Sequence, residues 1–126
     1  AMAWQFDGNR PIYAQLVDQI QRMIVTGIFP AGSRLPSVRE LAAEAAVNPN
    51  TMQRALVKLE EDGLLYTQRT SGRYVTEETE RIMEVKRALA EELIQQFVEN
   101  MNRLGYTREQ SVELLKKEEE KNAKSN

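Results

Sequence analysis

Asn50, Thr51, Gln53, Arg54 and Lys58 interleave with Met52, Ala55, Leu56 and Leu59, whose spacing is that of the buried face of a helix. With Met52, Leu56 and Leu59 turned inward, Asn50, Arg54, Val57, Lys58 and Glu61 point outward, and Thr51 and Gln53 flank them. The chemistry these residue types offer is recognition rather than bond making. In the major groove of a DNA duplex, amide side chains suit adenine and a guanidinium suits guanine, so Asn50, Gln53 and Arg54 are the candidate base readers. Thr51 and Lys58 suit phosphate, which fixes register without reading sequence. The same pattern also fits an ordinary solvated helix face.

Bond-making chemistry finds little support. The 126 residues contain neither Cys nor His, which removes disulfides, thiol nucleophiles, imidazole bases and the usual zinc ligands. Nothing sets the carboxylates, Lys or Ser in a Gly-rich or paired-carboxylate motif, so an enzyme is disfavoured and no cofactor or metal is implied. No apolar run approaches the roughly 20 residues of a membrane span, and no basic start leads into an apolar signal region. A cytoplasmic chain with no membrane partner is expected.

The net charge of −2 runs against the basic balance usual in nucleic-acid binders, but its distribution matters more. Residues 34–76 hold six bases against five acids, whereas residues 77–126 hold nine against twelve. The acidity therefore sits in the tail, and the middle segment is permissive for DNA.

The elements that must position the recognition residues follow from periodicity and punctuation. After Pro11, the residues Ile12, Leu16, Ile20, Met23 and Ile24 define one buried stripe of a first helix, which Gly27 ends. Pro30-Ala31-Gly32 keeps the next segment in turns. Ser37 caps a short second helix, with Glu40 reaching back as the partner of a capping box, and that helix buries Leu41, Ala42 and Ala45. Asn48 and Pro49 are an N-cap and a first helical residue, opening a third helix that runs to about Asp62 before Gly63 stops it. Two short helices across a tight turn make a helix-turn-helix.

Beyond Gly63 the period changes. Leu65–Arg69 and Arg73–Thr76 are rich in β-formers and flank Thr70-Ser71-Gly72, so a hairpin is expected there. A long helix then begins at Thr76 and lasts to about Leu104, with Leu89, Leu93, Phe97 and Met101 among its apolar positions. Met83, Ile94 and Val98 widen that stripe beyond the needs of one neighbour, so a second copy is expected to cover Leu89, Leu93, Phe97 and Met101. After Gly105, Thr107 and Gln110 form a second capping box for a last helix that buries Val112, Leu114 and Leu115 and frays beyond Lys116. Trp4 and Phe6, ahead of the first helix, are placed to pack on this appendage or on a partner subunit.

From Pro11 to Val75 the chain resembles the GntR family of bacterial regulators. The resemblance is carried by Pro11-Ile12-Tyr13, by Gly27 to Gly32, by Leu35-Pro36-Ser37-Val38-Arg39-Glu40-Leu41-Ala42, by Val47-Asn48-Pro49-Asn50-Thr51, by Gly63-Leu64 and by Gly72-Arg73-Tyr74-Val75. Val47 to Thr51 and the short helical tail are similar to the YtrA subfamily in particular. The chain departs at Pro49, where many relatives carry a basic residue, and at Thr70, where many carry Gly. The resemblance implies a mostly α fold: a winged helix-turn-helix over residues 1–76 and a two-helix dimerisation appendage over 77–126, too small for a ligand-sensing domain.

It further implies a homodimer on palindromic double-stranded operator DNA, repressing its own transport-related operon. Arg39 resembles a family position that contacts DNA. Arg69, Thr70, Gly72 and Arg73 belong to a wing that lies on the phosphate backbone or in the minor groove. Ser37 is a cap first, with a hydroxyl able to donate to phosphate. A winged helix can also serve as a protein-docking module, but acids at positions 50, 53 and 54 would mark that use, and none is present.

Overall fold

The computed structural model describes residues 4–125; residues 1–3 and 126, at the ends of the two expected domains, lie outside the described part. The first helix, α1, spans Ile12–Val25. It buries Leu16 and Ile20 completely and Met23 and Ile24 almost so. Ile12, expected in the same stripe, is exposed, because it stands in the first turn, a full turn ahead of Leu16. The preceding segment is clasped by a buried amide. Gln15 Oε1 accepts from the Asp7 N–H at 2.9 Å, and its Nε2 donates to the carbonyls of Asp7 (2.9 Å) and Arg10 (2.8 Å). Trp4 and Phe6 stack on each other, with ring centroids 6.4 Å apart.

α2 (Val38–Ala45) and α3 (Pro49–Glu61) form the helix-turn-helix. Ser37 Oγ accepts from the Glu40 N–H at 3.1 Å, the first half of the expected box. Ala46 closes α2 in the left-handed conformation, φ 56°, and its neighbour Val47 returns an N–H to Ala42 O at 3.0 Å. Asn48 Oδ1 then accepts from the Asn50 N–H at 2.8 Å, with Pro49 as the first residue of α3. Met52, Ala55, Leu56 and Leu59 are buried, packing α3 on α1 and α2. Eight fully buried side chains of this size would each contribute about 1.5–3 kcal/mol of transfer free energy; Leu16, Ile20, Leu41, Met52, Leu56, Leu59, Leu64 and Val75 are such a set.

The hairpin pairs β1 (Leu65–Gln68) with β2 (Gly72–Val75), Leu65 opposite Val75 and Gln68 opposite Gly72. Each strand differs from the expected span by a residue, leaving Arg69, Thr70 and Ser71 as the turn. A feature without a local sequence signal lies on the other edge of β2. Leu35 N donates to Arg73 O at 2.9 Å and Val75 N to Ser33 O at 2.8 Å, so Arg34 is bridged to Tyr74. The segment before α2 thereby fixes the base of the wing.

α4 spans Thr79–Arg103 and starts three residues later than expected, because Thr76 is held by Leu64 O and caps Glu78 with its hydroxyl. Arg81 Nε donates to Asp62 O at 2.8 Å and Val85 is buried. One compact unit consequently reaches Lys86, and the second begins at Arg87, within α4.

In the second unit Gly105, φ 93°, ends α4, and Thr107 with Gln110 completes both bonds of a capping box (3.1 and 2.9 Å). α5 spans Arg108–Ser125 and so continues past Lys116; its Lys, Glu and Ala residues favour helix, and Glu113 pairs with Lys116 at 3.4 Å. Val112, Leu114 and Leu115 are exposed rather than buried. Among the described residues Ser111 is the buried residue of this helix, its hydroxyl donating to Thr107 O at 2.8 Å. Within one copy of this unit the apolar side chains are at most half-buried among the described residues.

Candidate nucleic-acid interface

α3 displays the candidate recognition residues as its periodicity requires. Asn50, Gln53, Arg54, Val57, Lys58 and Glu61 are exposed and Thr51 is half-buried at the flank. Arg54 is not loose: its guanidinium carbon lies 4.5 Å from the centroid of the Tyr13 ring on α1, a cation–π contact that limits its rotamers while leaving it exposed. Lys58 reaches Asp62 at 3.4 Å, one turn on.

Gln53 is tied into a network that crosses from α3 to the wing. Arg73 Nε donates to Glu60 Oε1 at 2.7 Å, and Arg73 Nη1 donates to Gln53 Oε1 at 3.3 Å. Glu60 Oε1 also accepts from the Thr67 hydroxyl. The Arg73 and Glu60 side chains keep only 17% and 27% of their surface, so Arg73 is committed to protein partners rather than held free at the wing. Tyr66 and Tyr74, the neighbouring cross-strand pair, stack on each other with centroids 5.7 Å apart.

An open cleft of about 650 Å³ separates the start of α2 from the wing, lined by Arg34, Leu35, Ser37, Thr67, Gly72 and Arg73. The Ser37 hydroxyl oxygen is occupied by the Glu40 N–H, which leaves its own proton free to donate outward. Arg39 is exposed and pairs with neither Glu40 nor Glu44 among the described residues. At the wing tip Arg69 and Thr70 are exposed.

Sequence reasoning missed Arg34. Its Nε lies 3.3 Å from where a Cβ on Gly72 would stand, so the absent side chain at position 72, φ 108°, is what seats the guanidinium on the strand. No local pattern pairs residues so far apart; the pairing of Ser33–Leu35 with β2 creates the contact.

Leu89, Leu93, Phe97 and Met101 lie on the second unit. Leu93 and Phe97 are 54% and 39% exposed, and Leu89 and Met101 are half-buried. Among the described residues no helix is long and apolar enough to cross a membrane.

A helix-turn-helix, a wing on the same surface and a third helix that displays amides and a stacked guanidinium define a winged DNA-binding transcription regulator. The chain belongs to the gntR family of bacterial regulatory proteins, whose model matches residues 12–75, and within it to the YtrA subfamily. It is 40% identical over 89% of its length to the uncharacterized HTH-type transcriptional regulator YhcF of Bacillus subtilis, covering 93% of that protein. It is 34% identical over 86% of its length to the HTH-type transcriptional repressor YtrA of the same organism, covering 84% of it. A GntR family transcriptional regulator from Listeria monocytogenes superposes with a TM-score of 0.83 at 44% identity, over 89% of this chain and 98% of that one. The DNA-binding domain of AraR, solved in complex with operator ORX1, superposes over 60% of this chain and 96% of that one, with a TM-score of 0.55 and 28% identity. These relatives are regulators, not enzymes.

Proposed function

We propose that the chain is a homodimeric repressor that binds palindromic operator DNA and controls its own, transport-related operon. The observation that carries the DNA reading is the division of α3: Met52, Ala55, Leu56 and Leu59 are buried to 1% exposure or less, while its amides and cations all face solvent beside the wing. On this reading α3 lies in the major groove, where Asn50, Gln53 and Arg54 meet base edges and Thr51 and Lys58 meet phosphate. Ser37, the cap of α2, Arg39 within it, and Arg69, Thr70 and Gly72 from the wing hold the backbone. Arg34, seated at the mouth of the cleft, joins that set.

The dimer rests on the second unit, in which Ser111 is the one side chain buried among the described residues while Leu93, Ile94, Phe97, Leu104, Val112 and Leu115 remain exposed. Apolar surface of that extent marks an interface, and a two-fold dimer matches a palindromic site. Selection of bound fragments from the source genome, followed by footprinting, tests the whole reading. The expected result is enrichment of the fragment upstream of the chain's own operon. Its footprint should show two dyad-related half-sites about 10–10.5 base pairs apart centre to centre, or a multiple of that. No enriched fragment would overturn it.

A further inference from the structure

We infer that Arg73 and Glu60 form a positioning strut between wing and recognition helix, and that the strut fixes which end of the Gln53 amide reads DNA. The inference rests on the DNA-binding reading above. Glu60 on α3 accepts from two wing residues at once, Arg73 Nε at 2.7 Å and the Thr67 hydroxyl, so β1 and β2 are both fastened to the helix they flank. The ion pair is more than two-thirds buried on each side, which screens it less than a surface pair and holds its geometry.

Arg73 also donates to Gln53 Oε1 at 3.3 Å. A guanidinium has donors only, so the end of the amide that faces it must be the oxygen. The Gln53 Nε2 group, with its two protons, is therefore the end left for a base edge. A donor suits the major-groove acceptors of adenine, guanine or thymine, and it meets only another donor on cytosine. Gln53 accordingly discriminates against cytosine on the strand it faces rather than making the two-bond pairing to adenine. Arg73 acts through Gln53 and the wing, and it is a positioning residue rather than a phosphate contact.

The two roles predict opposite results. The probe is the operator fragment recovered from genomic selection, with every single base-pair substitution, titrated at several salt concentrations. Losing a phosphate contact lowers the slope of log affinity against log salt by about one unit and leaves base preference intact. For Arg73→Gln the strut predicts a five- to tenfold loss of preference at one base pair with the slope unchanged. Glu60→Gln removes a negative charge from a DNA-binding surface, so simple electrostatics predicts tighter binding; the strut predicts weaker binding and the same relaxed base pair. The double variant should behave like either single one, because one device has been broken. Gln53→Glu, which replaces the donor end by an acceptor, should invert the preference, because a carboxylate accepts from the cytosine amino group and opposes the acceptors of guanine and thymine.

Thermal melting separates misfolding from mispositioning, and Arg69→Ala supplies the phosphate-contact standard by lowering the slope. A variant Arg73→Gln that lowers the slope and keeps the preference overturns the strut and leaves the DNA reading standing. Tighter binding by Glu60→Gln overturns it equally. Failure of the wild-type chain to bind any fragment overturns the DNA reading and removes the strut with it.

Discussion

Arg54, a proposed base reader, is held in place before DNA arrives. Stacking on Tyr13 confines the guanidinium while its donors stay exposed, so less rotamer freedom is lost on binding. Arg54→Ala should cost about 1–3 kcal/mol of operator binding and relax preference at one base pair, measured by titration against substituted operators. Tyr13→Leu keeps the arginine and removes only the ring. It should weaken binding by about two- to fivefold, the equivalent of a cation–π contact of about 0.5–1 kcal/mol. Unchanged affinity in Tyr13→Leu would mean that the stacking prepares nothing. That Arg54 faces outward was legible, because it follows from the spacing of Met52, Leu56 and Leu59. The platform under it was not, because Tyr13 belongs to another helix and only the packing of α1 on α3 brings the two together. The same holds for Arg73 and Glu60, thirteen residues apart.

At the scale of elements, the local signals were strong wherever a cap or breaker acts within one turn. Ser37, Asn48 and Thr107 cap the helices they were expected to cap, and Gly63 and Gly105 end α3 and α4. Signals failed where covering surface decides the outcome. Val112, Leu114 and Leu115 have the composition of a buried face, and their exposure depends on what is absent around them, which periodicity does not encode. The turn of the helix-turn-helix is a third kind of case. Ala46 adopts φ 56° and ψ 47° with an exposed side chain, so it carries left-handed strain and gains no burial in return. Ala46→Gly should therefore stabilise the fold by about 0.5–1 kcal/mol, the strain relieved exceeding the extra chain entropy lost. A rise in melting temperature of roughly 4–8 °C per kcal/mol is the expected readout for a domain of this size. A lower melting temperature would show that the turn is not strained at this residue. Asn48→Ala is the counterpart, losing the bond to the Asn50 N–H and about 1 kcal/mol.

For the molecule as a whole, the apolar tail and the polar reading face must serve one function. A single α3 offers few base contacts, and a lone half-site is held weakly; joining two raises avidity by roughly 10²–10⁴-fold when both can engage. In the proposed dimer the second unit would supply the means, since Leu89, Leu93, Phe97 and Met101 recur along one side of α4 and none is buried within the chain. Sedimentation of the wild-type chain should give the mass of two copies. Converting Leu93 and Phe97 to Glu places charges on that seam, which an apolar interface tolerates poorly, and should yield monomers that keep the winged unit folded. Circular dichroism and melting of the variant check that the fold survives, since Leu93 and Phe97 are already exposed in one chain. The monomer should lose operator binding by two orders of magnitude or more, although every residue proposed to touch DNA is intact. Any protection that survives should shrink from two half-sites to one. A wild-type chain that sediments as a single copy and protects one asymmetric site would overturn the dimer, and the exposed stripe on α4 would then have no partner of its own kind.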